Sequence, residues 1–467
     1  MKTSTVEDGG EPPPPPMWTV LLLSFGVFCV FFCFIPTQTF AALVFPDIGA
    51  LSVALIYTIF LFGIIFSPTL LNKYDPGTLV AVGSALYVPV AVSVAVESKA
   101  LLVIGSVCCG AGASLLWNGI GVILTALSNQ STRGRRSGLF AFLNRLNFTS
   151  NIFLGILLAT GIKRGTLFIF VFSFGILGTG ILAVHAKYVS EPLVKKMRSL
   201  DKNTDGGKAG TNVERTGAAG LASKTPVGSK NYCSIIVADA LSALVLVKNK
   251  DFFPYLVSNY AVYGVLKGFV YSTMTLWFKA GVGEEEGVAF LVGTYGFALV
   301  VCTALFGYMF DFCAETKERK ATIFVFPVVI AWAGAAISMY AHLGGSSVSP
   351  AVWYIASGMI GAGNGGVEGM GYAYTSYLFP NKSSVAFAFA AKLYMEVIGQ
   401  VIGFLIPATI GDNPLVCIWF LSLHFAVNIG CFVYYLVQHS SKIFSGTKQE
   451  TQTLAKGGEM SCEMASV

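Results

Sequence analysis

Five ionisable side chains stand inside long apolar runs of this sequence: Arg145, Lys267, Glu368, Lys392 and Glu396, with His424 a weaker sixth. A charge inside a lipid-spanning helix is costly, so such residues face one another or a polar cavity and mark candidate functional sites. Lys392 and Glu396 are four residues apart and share one helical face, where they can pair. Two readings of these charges stay open. One is an internal ion pair that locks helix packing. The other is a substrate or proton site near the midplane, where two cations attract an anionic or zwitterionic solute and Glu368 acts as a coupling acid. Trp117 and Asn118 stand deep in another apolar run and join this candidate set.

The runs that must position these residues are long. The 467-residue chain is 54% hydrophobic and 12% charged, about half the charge of a soluble protein. Twelve runs fall at 17–44, 48–71, 78–97, 99–127, 138–160, 166–189, 252–279, 286–311, 321–342, 350–378, 384–409 and 414–438. A helix rising about 1.5 Å per residue needs about 20 apolar residues to span a bilayer. Only helices and closed barrels satisfy their backbone groups in lipid. Barrel strands would be short and alternating, so the expectation is an all-α polytopic membrane protein with twelve transmembrane helices.

Between the two sets of six lies a polar stretch rich in Gly, Lys, Ser and Thr, a composition that cannot bury a core. The expected organisation is a disordered start at 1–16, a six-helix bundle at 17–189, a linker at 190–250 with a short amphipathic helix at 233–247, a second bundle at 251–438 and a disordered tail at 439–467. The Lys and Arg bias sets the orientation. Even-numbered gaps hold eight bases (Lys73, Arg133, Arg135, Arg136, Lys317, Arg319, Lys320 and Lys382), against four in the odd-numbered gaps (Lys99, Lys163, Arg164 and Lys279). Both termini and the linker are therefore expected on the cytoplasmic side.

The net charge of +6 belongs to the flanks of the spans, so no nucleic-acid partner is expected. Cys29, Cys33, Cys108, Cys109, Cys302, Cys417 and Cys431 lie in apolar runs, where cysteine acts as a small hydrophobe. No metal site, cofactor or disulfide frame is read, and no enzyme signature: Gly361-x-Gly363 lies inside a membrane run rather than after a strand. The expected partners are the lipid bilayer and a small-molecule or ion substrate, or else a channel or other membrane protein.

An internal repeat links the halves. Ser137-Gly-Leu-Phe-Ala-Phe-Leu-Asn-Arg145-Leu146 matches Ser384-Val-Ala-Phe-Ala-Phe-Ala-Ala-Lys392-Leu393 at an offset of 247 residues, and Gly110-Ala-Gly112 matches Gly361-Ala-Gly363 at 251. Two matches in order describe one duplication, and parallel six-helix repeats are the arrangement of major facilitator transporters. The fourth and tenth runs are dense in glycine, which lets helices approach closely in lipid and also suits spans that line and reshape a cavity.

The chain resembles the Unc ninety-three-like (uncoordinated, ion-channel-regulator-like) branch of the major facilitator superfamily. The resemblance rests on Leu51-Ser52 with Tyr57, Ser67-Pro68 followed by Asn72-Lys73-Tyr74-Asp75-Pro76-Gly77, Gly110-Ala-Gly-Ala-Ser-Leu-Leu-Trp117, Ser137-Gly138-Leu139-Phe140, Gly283-Glu-Glu-Glu286, and Gly361-Ala-Gly363 with Ala386-Phe387-Ala388 near Lys392. Where many relatives carry an acid after the glycines of the tenth span, this chain has Asn364, with Glu368 four residues on. The resemblance implies two pseudo-symmetric six-helix bundles, a cavity lined by the first, fourth, seventh and tenth spans, and gating loops at Lys73 and Asp75 and at Asp311 and Arg319. It also leaves two functions in play. One is a secondary transporter or facilitator of a small solute or ion. The other is a non-transporting partner that regulates a channel or escorts other membrane proteins.

Overall fold

The computed structural model describes residues 14–45, 47–128, 132–193, 246, 248–282, 285–312, 317–379, 382–410 and 413–463. Among these there are helices and no strand. Twelve rods follow one another. α1 is Met17–Val44, α2 Gly49–Lys73, and α3 Pro76–Ala85 resumed as Val88–Ala95; α4 is Lys99–Ala126. α5 runs Arg133–Arg145 and, after a 3₁₀ turn at Leu146–Phe148, Thr149–Ala159; α6 is Arg164–His185, continued by a π turn at Ala186–Ser190. α7 begins at Phe253–Ser258 and ends at Thr275–Val282, α8 is Glu285–Phe312, and α9 is Lys317–Thr322 resumed as Val325–Gly344. α10 is Pro350–Leu378, α11 Lys382–Ile410 and α12 Pro414–Glu463.

Nine of these, among the described residues, are long and apolar enough to cross a membrane by themselves. The other three are α5, α7 and α10. They carry Arg145, Lys267 and Glu368, and their backbones are broken or glycine-rich. These three spans hold three of the five embedded charges; the other two, Lys392 and Glu396, lie on α11, which is among the nine.

Local chemistry sets several helix starts. Asp75 caps α3, its carboxylate accepting from the Thr78 N–H at 2.9 Å, with Pro76 at the first helical position. Proline there loses no intrahelical bond and its φ is pre-set. Ser349 with Pro350 opens α10 in the same way, and Asn413 accepts from the N–H of Leu415 at 3.1 Å ahead of Pro414. Pro89 interrupts α3, so the Tyr87 N–H turns back to Ser84 O. That break aims the Tyr87 side chain into the molecule. On one loop, Lys99 reaches Asp47 at 2.6 Å, and this hydrogen bond holds the Asp47 carboxyl below the usual carboxylate range.

Glycine decides which helices touch. On α10, Gly361, Gly365 and Gly369 stand four apart and face the carbonyl oxygens of Tyr295, Leu299 and Thr303 on α8. A methyl group at any of them would meet a backbone oxygen that cannot move aside. Gly264 and Gly268 of α7 meet Gly399 and Gly403 of α11 in the same manner, a contact that the glycine count of the fourth and tenth runs did not point to.

The halves meet through α2 against α11 and α5 against α8. The repeat carries α2 onto α8 and α5 onto α11, so it exchanges these two contacts. The interface is therefore two copies of one helix pair about a pseudo-two-fold axis. On the first copy, Tyr57 stacks on Phe404 with ring centroids 5.3 Å apart. On the second, Phe148 packs against Gly296 and its ring meets Tyr295 at 5.8 Å.

The expected boundaries shift in two places. α5 starts at Arg133, five residues before the run at 138, because the helix continues through polar residues. α12 does not stop at 438 but continues to Glu463, so the segment read as a disordered tail is helical. The linker at 190–250 with its amphipathic helix, and the start at 1–16, fall almost wholly outside the described residues.

Candidate functional site

Where the halves meet, midway along the helices, lies a cavity of about 40 Å³ counted as space for the centres of water molecules. One water needs on the order of 10–15 Å³, so the cavity has room for a few waters or a solute of similar size. Its lining divides by chemistry. Phe31, Phe34 and Ile35 of α1 with Ile56 and Phe60 of α2 make an apolar wall. Arg145 of α5, Lys267 of α7 and Lys392, Glu396 and Gln400 of α11 make a charged one, with Tyr57, Tyr87, Trp117, Tyr263 and Tyr372 between.

Arg145 stands one residue before the 3₁₀ turn of α5. Its guanidinium pairs with Glu368 of α10, 223 residues away in sequence, so this ion pair ties the two halves together. Both side chains are buried, and Glu368 is wholly enclosed with its Oε2 unpartnered. The planar Arg145 group also lies 5.4 Å from the Tyr263 ring centroid and 6.0 Å from that of Trp117. Such faces attract a cation and partly replace lost hydration.

On α11 the four-residue spacing places Lys392 Nζ 3.1 Å from Glu396, and the Gln400 amide donates to the other Glu396 oxygen at 3.1 Å. Lys392 also lies 4.7 Å from the Tyr372 ring centroid. Arg145 and Lys392, repeat partners in sequence, thus face one cavity from opposite halves. Lys267 is the third cation. Its ammonium sits 5.0 Å from the centroid of the Tyr263 ring, so three cations surround one tyrosine.

The helix that carries Lys267 and Tyr263 is unusual. α7 passes through a π-helical stretch at Asn259–Leu266, a short α stretch at Lys267–Phe269 and a second π stretch at Val270–Met274. Single π turns are frequent at functional sites, and sequence periodicity does not disclose them.

The remaining sequence candidates fall elsewhere. Asn118 donates to Ser67 Oγ at 2.6 Å and so joins α4 to α2 away from the cavity. His424 accepts or donates to the Tyr260 hydroxyl at 2.9 Å on the outer side of α7. Asn364 donates to the Tyr295 hydroxyl at 2.6 Å, and Glu368 one turn later meets Arg145. Among the gating residues, Asp75 is committed to capping α3, and Lys73 lies over its neighbour Tyr74. Neither makes a hydrogen bond or ion pair with the second half among the described residues. Asp311 ends α8 and Arg319 lies in the first turn of α9; their side chains are not among those described. Sequence reading missed Gln400, Tyr263, Tyr372 and Tyr57. Gln400 and Tyr263 each stand four residues from a charge that was chosen, which is the signal that could have found them. Among the described residues no three His, Cys, Asp or Glu side chains converge as a metal site would need.

Known proteins give the same picture. The family described as ion channel regulatory protein UNC-93 matches residues 41–203, which bears out the resemblance read from the motifs. No curated protein matches the sequence as a relative. Among solved structures, a peptide transporter POT in complex with sulfate superposes with a TM-score of 0.62 at 14% identity, covering 91% of this chain and 94% of that one. A mutant of that transporter in complex with alafosfalin gives 0.62 at 12% identity, over 92% and 95%. Identities this low speak for the fold alone. The chain has the major facilitator fold, twelve helices in two pseudo-symmetric bundles.

Proposed function

We propose that this chain, a multi-pass membrane protein of the major facilitator fold that is similar to the UNC-93 family over residues 41–203, is a secondary transporter or facilitator of a small solute. It has no catalytic role in this reading. The observation that carries it is the charged cavity at the junction of the halves, with Arg145 from one half and Lys392 from the other. A protein that only holds its helices together gains nothing from three cations around a hydrated space, since apolar packing is as stable or more so.

The geometry supplies a cycle. The Arg145–Glu368 pair clamps α5 to α10 while the cavity is closed. A proton on Glu368 removes the charge that holds Arg145 and frees the guanidinium for solute. The halves then rock about the α2–α11 and α5–α8 contacts, and the solute leaves to the other side. Lys392, Glu396 and Gln400 keep the opposite wall polar through the cycle. By the base distribution, both termini lie on the cytoplasmic side.

A second reading has its own support. The matched family is described as ion channel regulatory, so the chain regulates a channel or escorts another membrane protein without moving solute. Flux across proteoliposomes, over a panel of small anions, zwitterions and cations, separates the two. The transport reading expects flux of at least one solute that falls in Arg145→Ala, Glu368→Gln and Lys392→Ala while the variants stay folded. Silence across the panel, with variants that lose thermal stability and nothing else, would remove it in favour of the regulatory reading. That reading predicts co-purification of a channel or another integral membrane protein.

A further inference from the structure

Three cations and one carboxylate line the cavity, and the carboxylates are already taken. Glu396 is bound by Lys392 and Gln400. Glu368, outside the lining, is bound by Arg145. Lys267 is left over. Among the described residues no carboxylate lies within ion-pair reach of its ammonium, and no oxygen accepts from it; the Tyr263 ring lies 5.0 Å away, and Glu396, already held by Lys392 and Gln400, acts on it only across the cavity. The side chain is only 6% exposed. An ammonium so enclosed is unfavourable unless a counter-charge joins it. Its backbone is equally particular, a three-residue α stretch held between two π stretches, where ordinary helical register would turn it elsewhere.

The wall across from it is chosen as well. Phe31, Phe34 and Phe60 line the same space and offer no hydrogen bond. An inorganic anion would leave that wall unused, and a zwitterion would bring a second cation into a site with a surplus of them. We propose that the cavity binds a small organic monoanion, its carboxylate paired with Lys267 and its apolar stem against the aromatic wall of α1 and α2. The few-water size of the cavity limits that stem to a few carbon atoms. This inference rests on the cavity being a solute site, and it names the class of solute.

The test is thermal unfolding of the purified full-length protein in detergent, titrated with butyrate. Chloride and n-butylammonium serve as controls, and Lys267→Met and Lys267→Arg as variants. A ligand that binds only the folded state raises the midpoint with its concentration. Butyrate is expected to raise it saturably, with little response to chloride and none to n-butylammonium. Lys267→Met should weaken the apparent affinity by about tenfold or more, as loss of a buried charge partner does, while Lys267→Arg keeps most of it. Without ligand, Lys267→Met should unfold at a higher temperature than wild type, because an unpaired buried charge has gone; a merely structural lysine would give the opposite shift. A wild type indifferent to butyrate, an equal response to chloride or to n-butylammonium, or a full response in Lys267→Met would each overturn the proposal. Flux of other solutes without butyrate binding would sink this inference and leave the transport reading standing. Butyrate binding with no flux of any solute would do the reverse.

Discussion

Arg145 and Glu368 show what sequence can and cannot disclose about a buried charge. Each was visible as an ionisable residue in an apolar run, but their pairing spans 223 residues and two bundles, and no local spacing encodes it. Lys392 and Glu396 were legible as a pair because a helix turns the i and i+4 side chains to one face, and they stand 3.1 Å apart. The isolation of Lys267 was not legible, since it depends on every neighbouring helix. Pairing has an energetic signature. Removing one partner of a buried ion pair costs about 3–5 kcal/mol, whereas removing both costs far less. Glu368→Met alone and Arg145→Met alone should each lower the unfolding midpoint sharply, and Arg145→Met with Glu368→Met should recover most of the loss. A double-mutant cycle on thermal midpoints checks this; additive losses would mean that the two residues do not act on each other.

Among the elements, the glycine-dense runs were legible as close-packing helices, and α10 against α8 is such a contact. The glycines of α7 and α11 escaped notice because two per helix, four apart, do not stand out from an apolar run. The π stretches of α7 were illegible for a related reason: they change the hydrogen-bond register without changing the residue types. Position, more than glycine number, sets the cost of substitution. A Cβ at Gly365 would meet the Leu299 carbonyl of α8, whereas one at Gly121 of α4 meets nothing within 4 Å. Gly365→Ala should therefore destabilise by about 1–3 kcal/mol, as overpacking does. Gly121→Ala should be neutral or gain about 0.5–1 kcal/mol from reduced chain entropy. Thermal midpoints of the two variants, purified side by side, measure the contrast, and equal losses would contradict the assigned contacts.

For the molecule as a whole, the twelve apolar runs and the repeat were enough to read two halves, because lipid leaves the chain so few choices. They could not show that the repeat exchanges the α2–α11 and α5–α8 contacts, which makes the junction two copies of one helix pair beside the charged cavity. The polar tail read as disordered extends α12 to Glu463, since composition says what cannot bury a core but not what cannot form a helix. Twelve crossings put both termini on one face, and the Lys and Arg bias leads us to propose that it is the cytoplasmic one. Epitope tags at the two ends should both be reached by antibody only after the membrane is permeabilised; a tag exposed on intact cells would reverse the orientation.

A cavity that opens alternately is the central claim, and it can be tested without choosing a solute. Phe60 lines the cavity and is buried, so Phe60→Cys, in a background with the native cysteines replaced, reports access to it. Reaction with a membrane-impermeant thiol reagent, applied to one face and then to the other, is the measurement. The account predicts modification from both faces, with the reagent on one side slowing reaction from the other. Modification from a single face, or from neither, would mean that the halves do not rock about this cavity and that the protein acts by holding a partner.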